Sequence, residues 1–280
     1  MKKSDIELEG FGTYLLEQGK REITVEDYKR HIQNFHSWLV HENSSLQDLT
    51  RYDIQQYIYF LSGCGNQATT ITPKFSAIVS YVHFIDREDL LHDIKRPEVR
   101  HIRHISPKSL SRNQRNQLLR KVEQSENLRN IAIIYLTLYT GVRIFELVAL
   151  NREDIEMRER SGFLTVQDGK GGISRKIPLP VESRYHLQRY LQSRTDSQSA
   201  LFLSNYGKRL SKRSAQRVFE NYGIHAHMLR HTYGRELVAS GIDIATVAEL
   251  MGHNDVNTTK RYAAPSMTDL EQAINNVFQR

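Results

Sequence analysis

The chain has 280 residues, 39% of them hydrophobic and 25% charged, a globular composition that excludes a collagenous, coiled-coil or mostly disordered chain and is long enough for two cores. The longest mostly apolar run, Ile131 to Val142, is too short to span a bilayer, and the N-terminus turns acidic at Asp5 and Glu7 before any signal-like stretch. The lone Cys64 allows neither an intrachain disulfide nor a cysteine-based zinc site, and the reading is a cytoplasmic protein with no membrane partner.

The net charge of +7 is unevenly placed. Residues 1–94 carry nine Lys and Arg against fourteen Asp and Glu, whereas residues 95–280 carry thirty against eighteen. Two stretches concentrate the cations: Lys95, Arg96, Arg100 and Arg103 with the positions up to Lys121, and Lys208, Arg209, Lys212, Arg213 and Arg217. Clustered cations are the footprint of a polyanion, usually nucleic acid, although a solvated basic face has the same composition.

Residues 1–94 read as a helical bundle. Apolar residues recur at helical spacing in Phe11, Tyr14, Leu15, in Tyr28, Ile32, Phe35, Leu39, in Ile54, Tyr57, Ile58, Leu61, and in Ile71, Phe75, Ile78, Val82, Ile85. Thr24 with Asp27 and Thr50 with Asp53 have capping-box spacing, and Gly63–Asn66 breaks the third helix from the fourth. Residues 95–107, basic and holding Pro97 and Pro107, form a linker to a second domain over 108–280. There Leu118 to Tyr139 reads as one helix, Gly141 interrupts, and a further helix runs from about Arg143 to Leu150. Phe163–Val166 and Arg175–Leu179 flank Asp168-Gly169-Lys170-Gly171-Gly172, a hairpin with a glycine-rich tip. The remainder is mainly helical. At its end Thr268 and Glu271 have capping-box spacing ahead of a stripe of Leu270, Ala273, Ile274 and Val277, predicting a helix over 268–280.

The chemistry-bearing residues cluster late. In His227-Met228-Leu229-Arg230-His231 two histidines share a helix face, which raises zinc. Met228 stands where a zinc protease has its glutamate, and the arginine inside the pair opposes a cation. A phosphate site fits better: Arg230 offers a fork of donors and His227 can donate or move a proton. Gly252-His253 and Lys260-Arg261-Tyr262 follow.

This ordered set resembles the tyrosine recombinase (phage integrase) family. The resemblance is carried by His227–Thr232, Gly241, Leu250-Met251-Gly252-His253 and Thr258–Tyr262, by Thr140-Gly141-Val142-Arg143 through Leu147, which is similar to the family's first arginine box, and by Gly169-Lys170-Gly171, similar to its lysine turn. The resemblance implies a mainly α fold with a small antiparallel sheet, a two-domain C-shaped clamp of a helical, SAM-like core-binding domain and a catalytic domain. It implies Tyr262 as nucleophile, forming a 3′-phosphotyrosyl bond and freeing a 5′-hydroxyl; Arg143, Arg230 and His253 on the scissile phosphate; His227 in proton transfer near Tyr262; and Lys170 protonating the leaving oxygen, with Arg175 and Lys176 as its nearest substitutes. Glu146, one turn after Arg143, orients that arginine. His231 is assigned to packing or a structural hydrogen bond. No metal or other cofactor is implied.

The implied function is site-specific recombination through a Holliday junction, by four protomers on double-stranded DNA with inverted-repeat core sites, coupled through the C-terminal helix and with an accessory DNA-bending protein as a further partner. The chain length leaves no room for an arm-binding domain, which makes it Xer-like. The tail Ala263–Met267 lacks the usual Xer ending, which favours a mobile-element recombinase, resolving cointegrates or integrating and excising, over Xer-type chromosome or plasmid dimer resolution. Two other classes compete: a type IB topoisomerase-like enzyme using the same residues, and a non-catalytic DNA-binding regulator.

Overall fold

The computed structural model describes residues 3–96, 98, 108–167, 174–252, 257–260 and 262. The hairpin tip with Lys170, the linker positions Arg100 and Arg103, His253, and the helix expected over 268–280 lie outside them. The chain divides into two compact units, 1–101 and 102–280, each with a hydrophobic core of its own. It is mostly helical with one small antiparallel sheet, as expected.

The first unit contains α1 (Lys3–Glu17), α2 (Glu22–His41), α3 (Arg51–Gly63), α4 (Ala68–Phe84) and a 3-10 turn, Glu88–Leu91. Its core is formed by the anticipated stripes: Phe11, Leu15, Ile32, Phe35, Leu39, Ile54, Ile58, Ile71 and Ile78 are essentially sealed from solvent. The Thr50–Asp53 capping box forms, with the Asp53 amide donating to the Thr50 hydroxyl and the Thr50 amide to the Asp53 carboxylate. The expected start at Thr24 is corrected. Gly19, at φ 74°, turns the chain, and α2 begins at Glu22, whose carboxylate suits the positive end of the helix. Thr24 is already inside the first turn.

The second unit begins with α5 (Arg112–Glu123) and α6 (Leu128–Thr140). The single helix expected over Leu118 to Tyr139 is broken between them: Glu126 adopts φ 53° and the Asn127 side chain caps α6 by accepting from the Asn130 amide. Nearly every side chain of α6 from Ile131 to Leu138 is buried, and it packs against α8 (Val181–Gln192) and α10 (Ala226–Ala239). It ends at Gly141, which is left-handed, and α7 (Ile144–Ala149) follows. A strand that the sequence did not announce, β1 (Ile155–Met157), pairs with β2 (Gly162–Val166), which pairs with β3 (Arg175–Pro178), all antiparallel. Leu164 stands opposite both Ile155 and Ile177 and enters the core with Val166. After α9 (Lys212–Glu220) and α10 come α11 (Ile244–Met251) and α12 (Asn257–Lys260).

Candidate active site

Of the residues singled out from sequence, Arg143, Glu146, Arg230 and Tyr262 come together around the C-terminus of α11. On α10, His227, Arg230, His231 and Gly234 recur at the spacing that puts them on one helical face. Arg230 is 4% exposed. It donates through Nη1 to the carbonyl of Gly141 and through Nη2 to that of Met251, both at 2.5 Å. Burial, then the charge of Arg143, pushes its pKa down to about 9, still charged at neutral pH.

Arg143 begins α7 and donates to the carbonyl of Gly252 at 2.8 Å. Arg175, at the start of β3, donates through Nε to the carbonyl of Leu250. Three arginines from three elements therefore satisfy carbonyls at the C-terminus of α11, where helical carbonyls lack partners and the macrodipole favours cations. Gly252 makes this possible: it takes the left-handed conformation, and a Cβ there would stand 2.7 Å from Arg175 Nη1.

Glu146 joins this cluster from α7. Its carboxylate accepts from the Arg143 amide at 2.7 Å and from Arg143 Nη1 at 2.9 Å. It also accepts from both terminal nitrogens of Arg175, at 3.0 and 2.8 Å. The expected orientation of Arg143 by Glu146 is present, and Arg175 is a partner that sequence reading missed. Burial would raise the Glu146 pKa, but the hydrogen bonds and charges of Arg175 and Arg143 outweigh it and hold the carboxyl below its usual range.

Tyr262 is 8% exposed and packs with Val247 and Met251. Its hydroxyl lies 2.7 Å from His231 Nδ1. His231, assigned from sequence to packing or a structural hydrogen bond, therefore has the Tyr262 hydroxyl as a hydrogen-bond partner. Gly234 admits the tyrosine ring, since a Cβ there would meet Tyr262 Cε2 at 3.1 Å and Met251 Sδ at 2.8 Å. His227 lies one turn before His231, their rings 6.3 Å apart and inclined by 29°. Burial, then the charge of Arg230, lowers the His227 pKa below its ordinary value and keeps the imidazole neutral at pH 7. Lys170 and His253 lie outside the described residues.

The cationic positions expected to face a polyanion separate into two kinds. Lys208, Lys212 and Arg217 are exposed, and Arg213 is paired with Glu220 at 2.8 Å. Arg209, also exposed, donates to the carbonyls of Val148, Ala149 and Leu150 and to Asn151 Oδ1, closing the end of α7. In the first unit Arg96 lies over the Phe75 ring at 4.7 Å, and the Lys95 backbone exchanges hydrogen bonds with the Gln55 amide.

Comparison with known proteins gives two family matches: the phage integrase family over residues 108–269 and the phage integrase N-terminal SAM-like domain over residues 8–89. The chain is 31% identical over 276 residues to the tyrosine recombinase XerA of Pyrococcus furiosus, covering 95% of this chain and 92% of that one. It is 28% identical to the TnP I resolvase of Bacillus thuringiensis, covering 93% and 96%. Among solved structures, XerH recombinase bound to difH substrate in a pre-cleavage complex superposes with a TM-score of 0.68 at 20% identity, covering 89% of this chain and 78% of that chain, a likeness of fold.

Proposed function

The chain belongs to the phage integrase family and is a tyrosine site-specific recombinase, a DNA-cleaving and -rejoining enzyme, and from that premise we propose how its own residues carry the reaction. The observation that carries the reading is the convergence of Arg143, Arg230 and the Tyr262–His231 pair around the C-terminus of α11. Tyr262 Oη attacks the scissile phosphorus and forms a 3′-phosphotyrosyl bond as the bond to the 5′-oxygen breaks. Arg143 and Arg230, with His253, neutralise the charge that grows on the non-bridging oxygens. In doing so the two arginines exchange carbonyl partners for phosphate, the better partner for a planar fork of donors. Lys170 protonates the leaving 5′-oxygen, His227 assists proton transfer near the site, and Glu146 holds Arg143 in place.

The bond to tyrosine conserves the energy of the broken phosphodiester, so the strand can be resealed on a new partner without an external energy source. The protein acts on double-stranded DNA with inverted-repeat core sites, as a tetramer joined through the segment 268–280, exchanging strands through a Holliday junction and assisted by a DNA-bending protein. The SAM-like unit and the exposed cations Lys95, Lys208, Lys212, Arg213 and Arg217 contact the duplex. Its use is that of a mobile-element recombinase, a reading supported by the match to the TnP I resolvase. The match to XerA along nearly the whole chain supports dimer resolution as the second reading.

The test incubates wild-type and Tyr262→Phe proteins with labelled DNA from the source genome, including the segments flanking the gene. An SDS-resistant protein–DNA adduct with wild-type alone is the expected result. An adduct with Tyr262→Phe overturns Tyr262 as nucleophile.

A further inference from the structure

We propose that His231 is the base that takes the hydroxyl proton of Tyr262 as its oxygen attacks phosphorus, a role that sequence reading gives to His227. The inference rests on Tyr262 being the nucleophile and adds the route by which that nucleophile is activated. His231 Nδ1 lies 2.7 Å from Tyr262 Oη, within the distance over which a general base must sit before geometry permits transfer. The tyrosine is 8% exposed and packed against Val247 and Met251, so bulk water is a poor acceptor for its proton. The contact is also built into the helix. His231 and Gly234 stand one turn apart on α10, and the missing Cβ at Gly234 lets the tyrosine ring settle beside the imidazole.

The two histidines then divide the chemistry by position. His227 sits beside Arg230 and acts toward the phosphate, where a neutral imidazole can donate through one ring nitrogen. His231 faces the attacking oxygen. In the step itself the Tyr262 O–H bond breaks and its proton passes to His231 Nδ1. The Oη–phosphorus bond forms, the phosphorus–5′-oxygen bond breaks, and the leaving oxygen receives a proton from the acid at the Lys170 position. On religation the imidazolium returns its proton to the departing tyrosine oxygen.

The test uses the full-length protein and a duplex carrying the site mapped from the wild-type adduct, in two forms: one ordinary, the other with sulfur replacing the 5′-oxygen at the scissile bond. Sulfur leaves without needing an acid, so it compensates for a lost acid and not for a lost base. His231→Ala and His231→Gln are expected to slow single-turnover adduct formation about 100-fold on both substrates, with half-saturating DNA concentration unchanged. Added imidazole is expected to restore part of the rate to His231→Ala and none to His231→Gln. Lys170→Ala is expected to recover on the sulfur substrate. Should His231→Ala fail to fold, His231→Gln carries the test, since glutamine keeps a hydrogen bond to the tyrosine but cannot take a proton.

Either His231 variant cleaving within a few-fold of wild-type overturns the inference, as does recovery of both on the sulfur substrate. A wild-type protein that forms no adduct with any of the genomic fragments used for mapping overturns the functional reading and this inference with it, whereas equal wild-type and variant rates overturn the inference alone.

Discussion

Glu146 shows how much a single carboxylate carries in this site. It is 3% exposed and bridges Arg143 to Arg175, and each arginine also holds a carbonyl at the end of α11. Removing its charge leaves two guanidinium groups close together with no anion between them. Glu146→Gln is therefore expected to cost about 3 kcal/mol, the range for breaking a buried ion pair from one side, measured by urea unfolding at neutral pH. The same carboxylate gives the protein a pH dependence of definite sign. Its folded-state pKa lies below the unfolded value, so on acidification the unfolded chain binds the proton first. The stabilisation is complete above the ordinary carboxylate pKa of about 4.3 and is lost as the pH falls from there through the lower folded-state value. Unfolding free energies measured across that window should decline more steeply for wild-type than for Glu146→Gln, and equal slopes would remove Glu146 as the source.

The α6–Gly141–α7 junction makes the corresponding case for elements. Gly141 caps α6 at φ 62°, and an added Cβ would stand 2.4 Å from Tyr233 Cδ1. Its carbonyl also receives Arg230. Gly141→Ala combines a left-handed alanine, at about 1–2 kcal/mol, with displacement of the half-buried Tyr233 ring, at about 1–3 kcal/mol. A total loss of about 3 kcal/mol is expected in urea unfolding, together with slower adduct formation because Arg230 loses its anchor. Much of this arrangement is legible in the sequence, and the reason is local. Gly141 breaks a long apolar helix, the 3.6-residue period of α2, α3 and α4 places their core residues, and Thr50 with Asp53 marks a cap that forms as written. The failures are where local signals compete or contacts are remote. Asn127 starts a new helix within an otherwise helical pattern, and β1 is too short to show alternation. Arg175 is distant in sequence from Glu146, and only the folded sheet joins them. His231 was visible, but its register relative to Tyr262 depends on how α10 meets the segment after α12, which no spacing rule supplies.

At the scale of the whole molecule the question is which cations serve the fold and which serve a polyanion, because a net charge of +7 does not distinguish them. Arg209 and Lys212 are three residues apart in the same basic stretch and make the contrast testable. Arg209 spends its donors on three carbonyls at the end of α7 and on Asn151, whereas Lys212 opens α9 as an exposed side chain. A lysine on a phosphate displaces about one condensed counterion, so its removal should lower the slope of log binding constant against log salt by about one. Lys212→Ala is accordingly expected to weaken DNA binding, flatten that slope and leave the urea midpoint unchanged. Arg209→Ala should do the reverse, lowering the unfolding free energy by about 1.5–3 kcal/mol, the range for hydrogen bonds to a charged group, while the salt slope stays that of wild-type. If Arg209→Ala flattened the salt slope at unchanged stability, the contacts at the end of α7 would have to give way to DNA, and Arg209 would stand with Lys212 among the residues that face the polyanion.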